Sequence, residues 1–131
     1  MNNLFSLEGK NAWITGASYG IGFNIAKAFV EAGIQTIIFN DINEAALERG
    51  LKNYADAGIT NVKGYVCDVT KEDDVKALVE QIHKEVGQID ILVNNAGIIK
   101  RIPMCNMTAA EFRQVIDVDL NAPFIVSKAV I

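Results

Sequence analysis

Short continuous apolar runs alternate along the chain with longer segments whose apolar residues recur at helical spacing. The runs at Ala12–Thr15, Thr36–Phe39, Val62–Cys67 and Ile89–Val93 are rich in Ile and Val and do not alternate with polar residues. Parallel strands buried on both faces read this way. Between them Ile21, Ile25 and Phe29 fall at i, i+4 and i+8. Further on, Val75, Leu78, Val79, Ile82 and Val86 form one apolar stripe, with Lys76, Glu80, Lys84 and Glu85 elsewhere, as in an amphipathic helix. "TKED" at Thr70–Asp73 and "TAAE" at Thr108–Glu111 read as helix starts, a capping hydroxyl with an acid three residues on. Gly33, Gly58 and Gly87 fall where the first three helices should stop. Strand and helix alternate four times, which predicts a three-layer α/β/α arrangement around a Rossmann-type doubly wound parallel sheet. Right-handed crossovers leave few topologies, and the expected strand order is 3-2-1-4.

The segment from Thr108 onward differs from the other helices. Phe112, Val115, Ile116, Leu120, Phe124, Ile125, Val126 and Val130 cover more than one helical face, and Pro123 predicts a kink within it. A helix so widely apolar needs burial on two sides. The sheet supplies one; the remainder of a domain, a second subunit, or both would supply the other.

Composition narrows the function. A chain of 131 residues holds one domain rather than two, and no linker or repeat divides it. Half of it is apolar and 21% is charged, as in an ordinary globular protein. A net charge of −4 and a pI near 4.9 argue against nucleic acid as a partner, which needs a basic face. They leave room for a small anionic ligand. No apolar run approaches the roughly 18 residues that span a bilayer, and "MNNLFSLEGKN" lacks the succession of a signal peptide. The expectation is therefore no membrane partner and a cytoplasmic location. Cys67 and Cys105 have no C-x-x-C spacing, which suits reduced thiols. With one histidine, His83, and no Cys/His cluster, no metal site is expected.

The candidate chemistry lies in "TGASYGIG", where Gly16, Gly20 and Gly22 follow the first strand and open the first helix. Unpaired N–H groups and the positive end of the helix dipole at such a place suit a pyrophosphate. The same three glycines serve equally as a strand-to-helix turn with no ligand. The second strand ends in "FNDIN", placing Asp41 about 20 residues on, where a dinucleotide fold puts an acid against the adenosine-ribose hydroxyls. Asp41-Ile-Asn-Glu44 also reads as a helix cap. No basic residue stands at 17–19 or 40–43 to favour a 2′-phosphate, so NAD is expected over NADP.

Three residues between the first two glycines, "CDVT" at Cys67–Thr70 and "LVNNAG" at Leu92–Gly97 together resemble the short-chain dehydrogenase/reductase family across essentially all 131 residues. The resemblance implies cofactor contacts from Gly16, Ser18, Tyr19, Gly20, Ile21, Gly22, Asp41, Asp68, Val69, Asn95, Ala96 and Gly97. Asp68 would face the adenine amino group and Asn94 would brace the sheet. It further implies hydride transfer between a nicotinamide and a carbinol or ketone carbon, with a tyrosine whose pKa a nearby lysine lowers, a serine, and a relay asparagine on the fourth helix. Asp119 stands at that asparagine position. No Tyr-x-x-x-Lys succession occurs in these residues. The chain is thus expected to be the N-terminal part of a single dinucleotide-binding domain, without the catalytic Ser, Tyr and Lys.

"IIKRIPM" after "NNAG" is similar to the family's gluconate 5-dehydrogenases and related sugar-acid reductases. That likeness implies a sugar acid as substrate, gluconate and 5-ketogluconate first, with 2-deoxy-gluconate or a 3-oxoacyl thioester as alternatives. Lys100 and Arg101 would then meet the substrate carboxylate, Arg101 in bidentate fashion. A solvated basic loop is the other reading of that pair. A non-catalytic nucleotide-binding module stands as the rival from another class. Family members are dimers or tetramers that bury the fourth helix, which implies a homo-oligomer here.

Overall fold

The computed structural model describes residues 3–131. Its sheet consists of β1 (Asn11–Thr15), β2 (Thr36–Asp41), β3 (Val62–Val66) and β4 (Ile91–Val93). All pairings are parallel, in the order β3-β2-β1-β4, as the alternation of periods predicts. Ala12 pairs with both Ile37 and Ile91, and Phe39 with Gly64. The crossovers carry α1 (Gly20–Glu31), α2 (Glu44–Asp56) and α3 (Glu72–Glu85).

Successive strand residues face opposite sides of a sheet, and here each side has its own core. Trp13 and Ile38 pack with Val75, Val79 and Ile82 of α3 and with Val126. Ala12, Ile14, Ile37 and Phe39 pack on the other side with Ala26 of α1 and Leu47 and Tyr54 of α2. Every residue of β1 is buried, and so are the four central residues of β2, because only these strands have neighbours on both edges. Edge strands β3 and β4 are partly exposed.

Gly33, Gly58 and Gly87 take the left-handed φ expected at helix ends, 87°, 75° and 123°. "TAAE" forms the predicted capping box: the Thr108 hydroxyl accepts from Glu111 N–H while the Glu111 carboxylate accepts from Thr108 N–H. "TKED" does not. The residue ahead of α3 is Lys71, without a side-chain cap, and the Thr70 hydroxyl donates instead to Asp68 Oδ1 at 2.7 Å. An aspartate two residues back competes successfully for the hydroxyl, and Glu72, Asp73 and Asp74 stabilise the helix start through its dipole.

The last apolar segment is not one kinked helix. It divides into α4 (Ala109–Ile116), a wide π-helical turn (Asp117–Asn121) and α5 (Ala122–Val130). Pro123 lies in the first turn of α5, where a missing N–H costs little; the wide turn takes up the irregularity. Ala122 and Val126 are buried in the core. Phe112, Leu120 and Phe124 stay 57%, 63% and 67% exposed, so one side of this segment is covered and the other is bare.

Candidate functional site

The chain leaves β1 through Gly16–Tyr19 and enters α1 directly beneath the end of the sheet. Gly16 has φ 63°, and a Cβ there would lie 3.0 Å from Ala96 Cα; only glycine meets both demands. A Cβ on Gly22 would overlap the Asn95 side-chain amide, so α1 and the loop after β4 pack backbone to side chain.

Helix α1 starts straight from a loop with an undressed N-terminus. Tyr19 provides no side-chain cap, and the first turn holds no acid. By contrast Asn43 caps α2 at 2.9 Å from Ala46 N, and Thr108 caps α4. Four orphan amides and half a positive charge at a helix start are left for an outside anion.

These amides open on a cleft of about 570 Å³ at the carboxyl ends of the strands, where ligands of doubly wound sheets bind. Gly16, Tyr19, Gly20 and Ile21 form one wall, Asp41, Asp68 and Val69 another, and Asn95, Ala96 and Gly97 a third. Of the cofactor residues that the resemblance implies, Ser18 and Gly22 lie outside it. Ser18 is buried toward α2, and Gly22 is buried against Asn95. The cleft also takes in Asn40, Ile98, Gln114, Asp117 and Val118. Gln114, Asp117 and Val118 stand at i, i+3 and i+4, a spacing that marks one helical face.

Asp41 ends β2 and does not cap α2, the role Asn43 holds. Among the described residues its Oδ1 accepts only the adjacent Ile42 N–H, at 2.7 Å. Asp68 is tied to Thr70 through both N–H and hydroxyl. Behind them Asn40 accepts from Trp13 Nε1 at 3.0 Å and donates to the Cys67 carbonyl at 3.2 Å, a buried bridge across the strand ends. Burial, then Asp74 and Asp68, pushes the Cys67 thiol up to about 11, so this cysteine is core rather than nucleophile. His83 is exposed on α3.

The bracing role falls to Asn95 rather than Asn94. Asn95 Nδ2 donates to the Thr15 and Gly16 carbonyls at 3.0 and 3.2 Å, while Asn95 and Ala96 N–H both donate to the Thr15 hydroxyl. Asn94 turns to the Ser127 hydroxyl on α5. Thr15, not among the cofactor residues that the resemblance implies, supports the site from behind; a hydroxyl ending a buried strand is the signal it offers.

Asp119 sits in the wide turn and accepts from Ile98 N–H at 2.9 Å, fastening the loop after β4 rather than lining the cleft. Lys100 and Arg101 do not line it either. Arg101 is exposed, and Lys100 lies near enough to Glu111 to help keep its carboxyl below the usual range, after the Thr108 hydrogen bonds. No group of three His, Cys, Asp or Glu side chains could hold a metal ion among the described residues, and no helix there is long and apolar enough to cross a membrane.

A parallel sheet of order 3-2-1-4 with a glycine-lined cleft at its carboxyl end defines a dinucleotide-binding class of protein. The short chain dehydrogenase family model matches residues 10–131, and the chain belongs to that family. It is 44% identical over 129 residues to 2-dehydro-3-deoxy-D-gluconate 5-dehydrogenase of Formosa agariphila, a match covering 98% of this chain and 48% of that protein. Among solved structures, 2-keto-3-deoxy-D-gluconate dehydrogenase from Streptococcus agalactiae is 64% identical with a TM-score of 0.84, over 97% of this chain and 47% of that one. A gluconate 5-dehydrogenase from Burkholderia cenocepacia J2315, in complex with NADP and tartrate, is 36% identical with a TM-score of 0.84, over 96% of this chain and 49% of that one. The chain spans about half the length of these relatives.

Proposed function

We propose that the cleft is the dinucleotide half of an oxidoreductase site, and that the complete protein interconverts a secondary alcohol and a ketone on a sugar acid. The observation that carries this reading is the uncapped N-terminus of α1 facing a cleft whose opposite wall bears Asp41 and Asp68. The residues fit a pyrophosphate: Gly20 lines the cleft with φ 67° and nothing within 4 Å of where a Cβ would stand, and the start of α1 carries no side-chain cap and no acid among the described residues. The bound nicotinamide would supply or take the hydride. This chain's residues would hold it, and no Tyr-x-x-x-Lys succession that could move the proton occurs among them.

Asp41 supports NAD, because a carboxylate there accepts from ribose hydroxyls and repels a 2′-phosphate. Residues 17–19 and 40–43 offer no cation to a 2′-phosphate, but the fold brings basic side chains from α2. Arg49 and Lys52 of α2 line a smaller cavity of about 260 Å³ that shares Tyr19 and Asp41 with the cleft. Both support NADP, Arg49 more directly because Lys52 also meets Asp56 in an exposed pair at 3.2 Å. The substrate reading draws on the sugar-acid names of the similar proteins and on exposed Arg101 as a carboxylate ligand.

The deciding experiment assays the complete protein with NAD(H) and NADP(H) against 2-keto-3-deoxygluconate, 5-ketogluconate, gluconate, 2-deoxy-gluconate and a 3-oxoacyl thioester. Activity on a carboxylated sugar is expected, with Asp41→Asn moving cofactor preference toward NADP and Arg49→Ala moving it toward NAD. Turnover of the thioester alone would overturn the sugar-acid reading. Asp119 in place of an asparagine favours a second reading, a binding module that takes the dinucleotide without turnover. Tight cofactor binding with no activity on any of the five compounds would establish that one.

A further inference from the structure

The glycine-rich loop is held from behind by α2. The Tyr54 hydroxyl donates to the Ala17 carbonyl at 2.8 Å, and Asn53 Nδ2 donates to the Ser18 carbonyl at 2.8 Å. These are consecutive peptide units, both with their oxygens drawn toward α2. In a trans peptide the N–H points opposite to the C=O. Fixing the two carbonyls therefore aims the Ser18 and Tyr19 N–H groups away from α2. Neither N–H finds a hydrogen-bond partner among the described residues.

The clamp is built to be stiff. Tyr54 is fully buried, its ring against Phe23 edge-on at 4.9 Å and Phe39 at 4.8 Å. Gly50 lets α2 approach the loop: a Cβ there would stand 2.6 Å from Ser18 Oγ and 2.7 Å from the Phe39 ring. Ser18 Oγ itself is buried with no partner among the described residues, so its burial follows from that close approach and not from a hydrogen bond of its own. A turn that only connected β1 to α1 would not need two carbonyls anchored by a helix some 35 residues on.

We infer that Tyr54 and Asn53 are positioning residues for the anion-binding loop: they set the direction of its peptide N–H groups and thereby the affinity for a pyrophosphate. The inference rests on the dinucleotide reading above. Without the clamp the two peptides can rotate, and part of the binding free energy goes into fixing them again.

The test compares the complete wild-type protein with Tyr54→Phe, which keeps the ring packing, and Asn53→Ala, using ADP-ribose and adenosine as probes in calorimetric titrations. A single neutral hydrogen bond corresponds to roughly a three- to tenfold change in an equilibrium constant. ADP-ribose is expected to bind about that much more weakly to each variant, while adenosine, which lacks the pyrophosphate, keeps its affinity. Asn61→Ala is the control for a merely structural loss. Its side chain also donates to backbone carbonyls, Ile34 and Gln35, but away from the loop, so it should lower the melting temperature and leave ADP-ribose affinity unchanged. ADP-ribose affinity intact in folded Asn53→Ala would overturn the inference, as would equal losses for both probes. A wild-type protein that binds neither NAD nor NADP would instead sink the dinucleotide reading itself.

Discussion

Thr15 is a single hydroxyl on which two amides depend. It ends β1, is 1% exposed, and accepts from the N–H groups of Asn95 and Ala96 at 3.0 and 2.9 Å. Valine has nearly the same shape and no acceptor. Thr15→Val would therefore strand two amides in a part-buried place, at a cost of about 2–4 kcal/mol for the pair. The expected outcome is a lower urea midpoint with an unchanged m-value. Because the two amides belong to the wall that faces α1, dinucleotide affinity should fall as well. A variant as stable as the wild type would mean that Asn95 Nδ2, with its two carbonyl partners, holds the loop alone.

At the scale of elements, the wide turn between α4 and α5 matters most. A π-type turn inserts an extra residue and swings the following side chains around the helix axis. Here it brings the Asp119 carboxylate onto Ile98 N–H, 2.9 Å away and 21 positions earlier. Asp119→Asn retains an oxygen that can accept that bond, whereas Asp119→Ala does not. Amide exchange at Ile98 should thus speed up markedly in the alanine variant and stay near wild type in the asparagine one. Equal exchange in all three would show that packing of Val118 and Ala122, not the carboxylate, keeps the loop in place. The turn itself could not be read from the residues. Pro123 was visible as an irregularity, but whether a proline kinks a helix or begins a new one depends on packing. Ala122 and Val126 are anchored in the α3 side of the core, and that decides it. The "TKED" segment departs from its pattern for a related reason: a hydroxyl and an acid at cap spacing do not reveal that Asp68 is the nearer partner. Where the signal was a long apolar period, as in β1, β2 and α3, the element followed. The cleft walls at Gly16 and Asp41 are legible because one follows β1 and the other ends β2, whereas Gly97 is marked only by the "LVNNAG" motif. Arg49 is not legible, since it reaches the site only after α2 folds back over the glycine loop.

The whole molecule has two unlike sides. Trp13 and Ile38 close one core against α3 and α5, and Tyr54 and Phe39 close the other. Beyond these, Ile91, Leu92 and Val93 form an edge strand that is only half buried, and Phe112, Leu120 and Phe124 are largely in solvent. Unpaired strand edges and clustered exposed apolar side chains both favour association. Relatives are about twice as long, and the outer edge of β4 is where a further strand would pair. The outer side of α4 and α5 points away from both cores, which makes a second copy of the protein its expected cover. The two sources of burial separate experimentally. The 131-residue chain by itself should self-associate in sedimentation velocity and melt without cooperativity, since both surfaces are bare. In the complete protein, Phe124→Asp should shift the population toward smaller species at equal concentration while circular dichroism stays native. A cooperative, monomeric 131-residue chain would show that these four strands already form a sufficient core. An oligomer indifferent to Phe124→Asp would place the contact on another face.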